Sequence, residues 1–114
     1  MATTDTRSVD AIVEEMTRRI VARFDPLQVI LFGSRARGDA HADSDIDLLV
    51  VLPHVENSRT AAVAIRSELR GLGVAKDIVV TTPDEIAAYG KLIGTVLEPA
   101  LREGRVLYER GVAV

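Results

Sequence analysis

Two apolar segments constrain the fold of this chain more than any other feature, because a glycine-serine pair follows the first and two aspartates stand at the start of the second. The first, residues 29–32, ends at Gly33-Ser34, and the second begins within the sequence Asp45-Ile46-Asp47. Gly33 permits a tight turn, and Ser34 then opens a short helix whose backbone N–H groups suit an anion. The pattern predicts a strand, an anion-binding turn and a second strand that carries two carboxylates.

Asp45 and Asp47 stand two positions apart at the start of the second predicted strand. Because side chains alternate along a strand, both carboxylates point to one face, and Ile46, Leu48 and Val50 point to the other. Two carboxylates about 4 Å apart repel each other by about 4 kcal/mol at an effective dielectric constant of about 20. A divalent cation removes that cost, so the pair is typical of a metal site.

Length and charge limit the remaining possibilities. We expect one small domain, residues 1–114, with residues 1–7 frayed. The 14 basic and 17 acidic residues give a net charge of -3, so no broad cationic surface attracts a nucleic-acid backbone. We therefore expect no direct nucleic-acid partner.

The composition also bears on the cellular compartment. The chain contains no cysteine, which excludes disulfides and thiolate metal sites and fits a reducing cytosol. Its apolar runs are too short to span a bilayer, and the N-terminal residues lack the basic start and apolar core of a signal peptide. We expect a cytoplasmic protein without a membrane partner. A mean hydropathy of +0.17 in so small a domain is expected either from a surface that a partner covers or from a plain aliphatic core.

Three long helices are predicted from apolar residues that recur three and four positions apart. The first contains residues 9–24, and the second is capped by Asn57 or Ser58 and ends near residues 71–73. The third starts at Thr82, where Glu85 reaches back to complete a capping box. It extends to about residue 97, before a proline kinks or restarts it.

Strands are predicted at residues 28–32, 46–52, 75–81 and 105–108. The first two form an antiparallel pair, and the last is an edge strand. Because helices and strands alternate, the predicted fold class is α/β or α+β, with one mixed sheet flanked by helices.

Asp77 is the candidate for a third carboxylate. It is the acid within the otherwise apolar third strand, and two-metal phosphoryl chemistry commonly uses a carboxylate from a neighbouring strand. The alternative is an ordinary acid on a solvent-facing strand, since such strands alternate polar and apolar residues without catalytic meaning.

Arg35 and Arg37 flank the glycine-serine turn, and a guanidinium group binds phosphate oxygens well. Residues two apart on a helix do not share a face, so both cannot reach one phosphate. We expect one of them, taken here as Arg37, to contact phosphate. Arg37 otherwise pairs with Asp39 or Asp43.

Together these motifs resemble a family signature. Residues 33–38, GSRARG, and 44–48, SDIDL, are similar to the G-S-x-A-x-G and S-D-x-D-L motifs of the polymerase-beta-like nucleotidyltransferase superfamily. The resemblance extends over nearly the whole chain, through the Asp77 strand to the closing residues 103–108. At this length the chain resembles the minimal nucleotidyltransferases, which are encoded beside HEPN-domain ribonuclease toxins and act as their antitoxins.

The resemblance implies a role for each motif residue. Ser34 with the Gly33 turn binds the β- and γ-phosphates of the nucleotide, expected to be ATP. Asp77 also accepts the proton of the acceptor hydroxyl. Two Mg2+ ions are held by three acids: Asp45, Asp47 and Asp77. The chain departs from the family at Lys76, where an apolar residue is more usual and where an ammonium group is expected to lower the pKa of Asp77.

Three functions follow from the resemblance. The first is an enzyme that transfers AMP from ATP to a hydroxyl, a tyrosine of a HEPN toxin, and releases pyrophosphate. The second is a non-catalytic antitoxin that neutralises the toxin by binding. The third, nucleotidyl transfer to a small molecule, is disfavoured because nothing after Tyr108 can form an acceptor pocket.

Overall fold

The computed structural model describes residues 5–41, 43–92, 95 and 97–111. Within these residues the helices are α1 (Asp5–Phe24), α2 (Ser34–Arg37), α3 (Ser58–Glu68), α4 (Pro83–Tyr89) and α5 (Leu97–Glu103). The strands are β1 (Gln28–Phe32), β2 (Ile46–Val51), β3 (Lys76–Thr81) and β4 (Arg105–Glu109). The predicted order of elements is confirmed, with α4 and α5 in place of one long helix.

The four strands form one mixed sheet in the order β3-β2-β1-β4. Strand β1 is antiparallel to β2 and to β4, as the sequence predicts for the first pair, and places Phe32 opposite Asp47. Strands β2 and β3 are parallel, with α3 as the crossover between them. Their register places Asp47 opposite Asp77. The sheet therefore aligns the end of β1, the start of β2 and the start of β3.

The two faces of the sheet have separate cores. One contains the predicted Ile46, Leu48 and Val50, which pack with residues of α1 and α3. The other contains Leu49, Ile30 of β1 and residues of α5. Asp47 lies between Ile46 and Leu48 in β2 and so belongs to the α5 side. Because side chains alternate between the two faces of the sheet, the carboxylates lie on the face opposite the larger core.

The predicted helix starts are confirmed with one difference in detail. The Asn57 side chain caps α3 by accepting from the backbone N–H of Thr60 at 2.9 Å. Thr82 caps α4 by accepting from the N–H of Glu85 at 3.3 Å. The Glu85 carboxylate does not reach back to complete the capping box, because it accepts instead from the hydroxyl of the buried Thr81, at 2.9 Å.

The prediction that one helix continues from Thr82 to about residue 97 is wrong, since α4 ends at Tyr89. A Cβ at the following Gly90 would lie 2.5 Å from the Ile86 carbonyl oxygen and 3.1 Å from Cδ1 of Leu101. The bare Cα of Gly90 therefore lets Leu101 of α5 pack against the end of α4. At the N-terminus, α1 begins at Asp5, so residues 5–7, predicted to be frayed, are helical, and residues 1–4 lie outside the described residues.

Replacing Leu48 with alanine should lower the free energy of unfolding by about 2 to 5 kcal/mol, because its side chain is fully buried between the sheet and two helices. The matched variant is Leu92→Ala, at a residue that is 55% exposed. We expect that variant to stay within about 0.5 kcal/mol of the parent. Chemical denaturation of both proteins measures the difference, and equal losses would contradict the assigned core.

Candidate active site

Gly33 and Asp47 are in direct contact where β1 ends and β2 begins. Gly33 has a φ of 76°, a left-handed conformation that favours glycine. A Cβ built at Gly33 would lie 2.1 Å from Oδ2 of Asp47. The Asp47 carboxylate therefore rests against the bare Cα of the turn, and no larger residue fits at position 33 without moving it.

The turn itself is closed by backbone hydrogen bonds. The N–H groups of Ala36 and Arg37 donate to the Gly33 carbonyl at 3.0 and 3.1 Å, and the N–H of Gly38 donates to the Ser34 carbonyl at 2.9 Å. Within the described residues, the Ser34 hydroxyl makes no hydrogen bond. Ser34 therefore stands at the start of a short helix, and its hydroxyl is available to hydrogen-bond a ligand.

Arg35 braces the loop that leads to Asp45. Its guanidinium group donates to the Ser44 carbonyl, at 2.9 Å from Nη2, and to the His41 carbonyl at 3.2 Å. The Ser44 hydroxyl in turn accepts from the N–H of His41 at 2.7 Å. Arg35 thus connects the glycine-serine turn to the residue before Asp45, and it helps to position the loop that carries Asp45.

Arg37 faces the acids. Its guanidinium group lies 3.3 Å from Asp39, which confirms one predicted alternative, and 3.4 Å from Glu103 at the end of α5. The positive charge of Arg37 also acts on Asp47, where it works to lower the pKa. The contact with Glu103 was not predicted, because the two residues are 66 positions apart in the sequence. Binding of phosphate by Arg37 stays a prediction.

Asp47 is the electrostatic centre of the site. Partial burial raises the pKa of Asp47 above its ordinary value of 3.8, and the negative charges of Asp77 and Asp45 raise it further. Arg37 offsets only part of this effect. The negative charges of Asp77 and Asp45 thus act on Asp47, and they add to the effect of burial in raising its affinity for a proton.

Asp77 lies beside Asp47 on the edge strand β3, and 58% of its side chain is exposed. Its nearest cation is Arg66 in the last turn of α3, with Nη2 3.7 Å from Oδ1. The sequence prediction overlooked Arg66, whose approach depends on the parallel crossover from β2 to β3. The expected neighbour Lys76 donates instead to the Val74 carbonyl at 3.1 Å, because adjacent strand residues point to opposite faces.

A divalent cation fits this group in its donor chemistry. The three acids supply the hard oxygen ligands that Mg2+ prefers. Repulsion from Asp77 and Asp45 adds to the raised pKa of Asp47, and a bound cation would relieve that repulsion. Among the residues that the structure describes, however, no three His, Cys, Asp or Glu side chains are placed so that they could hold a metal ion. Metal binding by Asp45, Asp47 and Asp77 therefore stays a prediction.

Gly33→Ala should destabilise the protein more than Gly38→Ala. Both glycines have positive φ, but Gly38 is in the left-handed helical region (ψ 9°), whereas Gly33, with a ψ of -159°, is in a region open essentially to glycine alone. A Cβ at Gly38 meets nothing within 4 Å, whereas one at Gly33 strikes the Asp47 carboxylate. We expect a further loss of about 1 to 3 kcal/mol at Gly33 in chemical denaturation, from the backbone and from this clash together. Adding Asp47→Ala should recover the part that the clash causes, and an absence of any recovery would contradict the contact.

Asp47→Asn should raise the melting temperature at pH 7. Because the folded state raises the pKa of Asp47, ionisation of this carboxyl costs stability. That contribution is present below the unfolded pKa and is lost as pH rises through the folded pKa. The gain of the asparagine variant over the parent should therefore shrink toward pH 3, with Asp43→Asn as the exposed control. A gain that is independent of pH would contradict the electrostatic assignment.

Known proteins share this sequence pattern and this fold. The sequence profile of the nucleotidyltransferase domain matches residues 13–102, which include the turn and all three carboxylates. No curated protein is significantly similar to the chain in sequence.

Two crystal structures resemble the fold. A candidate nucleotidyltransferase from Sulfolobus solfataricus has a TM-score of 0.63 and 24% identity, and the alignment covers 88% of this chain and 79% of that one. A toxin-antitoxin with AMP-PNP has a TM-score of 0.61 and 22% identity, with 86% and 74% covered. At these identities the structures support the fold, and the match of residues 13–102 decides the family: the chain belongs to the nucleotidyltransferase domain family.

Proposed function

We propose that the chain transfers AMP from ATP to a hydroxyl group of a partner protein and releases pyrophosphate. We further propose that the partner is a HEPN-family ribonuclease toxin, that the acceptor is a tyrosine, and that the chain acts as its antitoxin in the cytoplasm. The observation that carries the proposal is the position of Asp47, with the Gly33 turn on one side and Asp77 on the other. The likeness to a toxin-antitoxin with AMP-PNP supports the choice of nucleotide and partner class.

The residues divide the chemistry between them. The Gly33-Ser34 turn and Arg37 bind the triphosphate through backbone amides, a hydroxyl and a guanidinium group. Two Mg2+ ions, held by Asp45, Asp47 and Asp77, would neutralise the carboxylates and stabilise charge on the reacting phosphate. Asp77 takes the proton as the acceptor oxygen bonds to the α-phosphorus and the bond to the leaving pyrophosphate breaks.

The exposure of the site favours a macromolecular acceptor. Asp45 is exposed, and more than half of the Asp77 side chain is accessible. Small-molecule sites are usually concave and bury most of the ligand, whereas an open site suits an acceptor that a partner protein presents. We therefore propose that a partner protein presents the acceptor.

Within the described part of the chain, no helix is long and apolar enough to cross a membrane.

One observation favours a second candidate, a non-catalytic antitoxin that neutralises the toxin by binding. Asp77 is near Arg66, and the described acids do not form a closed metal cage. If that ion pair persists in the presence of Mg2+ and ATP, it competes with metal binding and proton transfer at Asp77. The two candidates differ in whether the toxin is modified.

Asp77→Asn separates the candidates, with Asp84→Asn as an exposed control on α4. As base and ligand of one metal, Asp77 should be needed for chemistry more than for nucleotide binding. We expect the variant to bind ATP with Mg2+ within a few-fold of the parent but to transfer no adenylate. The intact mass of the toxin after incubation measures transfer, and calorimetry measures binding.

Protection of cells from the toxin completes this test. Under the enzymatic proposal, protection is lost with Asp77→Asn and kept with Asp84→Asn. Full protection by Asp77→Asn, with the toxin mass unchanged by either protein, would replace the enzyme with a binding antitoxin.

A further inference from the structure

The segment that joins α5 to β4, residues 103–105, lies at the same end of the sheet as the glycine-serine turn. Strand β4 begins opposite Leu31 of β1, one residue before that strand ends, so the last turn of α5 meets the sheet there. A Cβ at Gly104 would collide with the Ala100 carbonyl oxygen and with the side chain of Ile30. The bare Cα of Gly104 therefore lets the end of α5 lie directly against β1, beside the turn.

Glu103, the last residue of α5, uses this position to reach the glycine-serine turn. Its Oε1 accepts from Nη1 of Arg37 at 3.4 Å, and its Oε2 accepts from Nη1 of Arg102 at 3.0 Å. From the other side, Nε of Arg37 donates to Oδ2 of Asp39 at 3.3 Å. The Arg37 guanidinium group is thus held between a carboxylate of its own loop and one that the fold brings from 66 positions away.

The two carboxylates leave part of the Arg37 guanidinium group for a ligand. Among the residues that the structure describes, its hydrogen bonds use Nε and Nη1, so the two N–H groups of Nη2 are available to a phosphate oxygen. The positive charge of the same group acts on Asp47. Arg37 is therefore held close to the site with one donor nitrogen unoccupied.

The Glu103–Arg37 ion pair has two opposing effects on a phosphate that Arg37 binds. An arginine side chain that moves freely loses rotamer freedom when it binds a ligand, whereas one that is already held in place avoids much of this loss. Charge alone acts in the opposite direction, because the Glu103 carboxylate repels a triphosphate. The sign of the change in ATP affinity therefore tells which effect dominates when Glu103 is replaced.

We propose that Glu103 is a positioning residue, which holds the Arg37 guanidinium group in the orientation that binds the phosphates of ATP. The inference rests on the proposed function, since it requires a nucleotide at the glycine-serine turn. Glu103 acts here only through Arg37 and does not touch the nucleotide. Its contribution is limited in size, because 28% of the Glu103 side chain and 46% of the Arg37 side chain are exposed.

Glu103→Gln tests the proposal, because it removes the charge and nearly keeps the shape of the side chain. Calorimetry should show that the Kd of ATP with Mg2+ rises about three- to fivefold, in the range of a partly exposed ion pair. If Glu103 acted only as a negative charge near the triphosphate, the same variant would bind ATP more tightly than the parent.

Arg37→Met shows whether Glu103 acts through the guanidinium group. This variant should raise the Kd of ATP about tenfold, because a charge-assisted hydrogen bond is lost. In the Arg37→Met background, Glu103→Gln should cause no further weakening, since no guanidinium group remains to be held. A shift of α5 as a whole would instead weaken binding equally in both backgrounds.

The matched control is Glu98→Gln, on the same helix. The Glu98 carboxylate pairs with Arg102 at 2.8 Å, and 23% of its side chain is exposed, close to the value for Glu103. This variant should leave the Kd of ATP unchanged. Thermal unfolding of every variant checks that the fold is kept.

Three results would overturn the proposal: Glu103→Gln that binds ATP as tightly as the parent or more tightly, equal weakening with and without Arg37, or unchanged ATP binding by Arg37→Met. Failure of the proposed function has a different signature. A parent chain that binds ATP but modifies no toxin would contradict the enzymatic function and leave the role of Glu103 to be decided by the same Kd values. A parent chain that binds no ATP would overturn both.

Discussion

The contact between the Asp47 carboxylate and the Cα of Gly33 depends on the register of β1 and β2. That register places Phe32 opposite Asp47 and, at the same time, directs Leu48 and Val50 into the core under α1 and α3. A slip of one residue would turn Asp47 into that core and expose the leucine. The hydrophobic effect therefore fixes the site: the burial that stabilises β2 also determines where its carboxylate lies. The glycine then matters because the two strands converge there too closely for a side chain.

Features governed by neighbouring residues could be predicted from the sequence. The antiparallel β1–β2 pair, the caps at Asn57 and Thr82 and the turn after Gly33 all follow from short patterns of residue type. The parallel pairing that sets Asp77 beside Asp47 was implicit only in the expectation of a mixed sheet. Two of the arginine contacts of the site could not be predicted, because Arg37 meets Glu103 from 66 positions away and Arg66 meets Asp77 at the sheet edge.

The errors arose where tertiary packing overrides a local preference. Apolar residues after Thr82 keep a helical spacing, yet α4 ends at Tyr89 because the chain must turn for α5 to pack on Ile30 and Leu49. Glu85 has the position for a capping box, but the hydroxyl of the buried Thr81 is a partner that a pattern of sequence alone does not reveal. In both cases a long-range requirement for burial or for a hydrogen bond decided between local alternatives.

The order of the strands separates the two exposed edges by function. Asp77 lies on β3, and β4 is the opposite edge of the sheet, three strand spacings or about 14 Å away. A molecule that contacts β4 would therefore leave Asp77 accessible to a second molecule at the other edge.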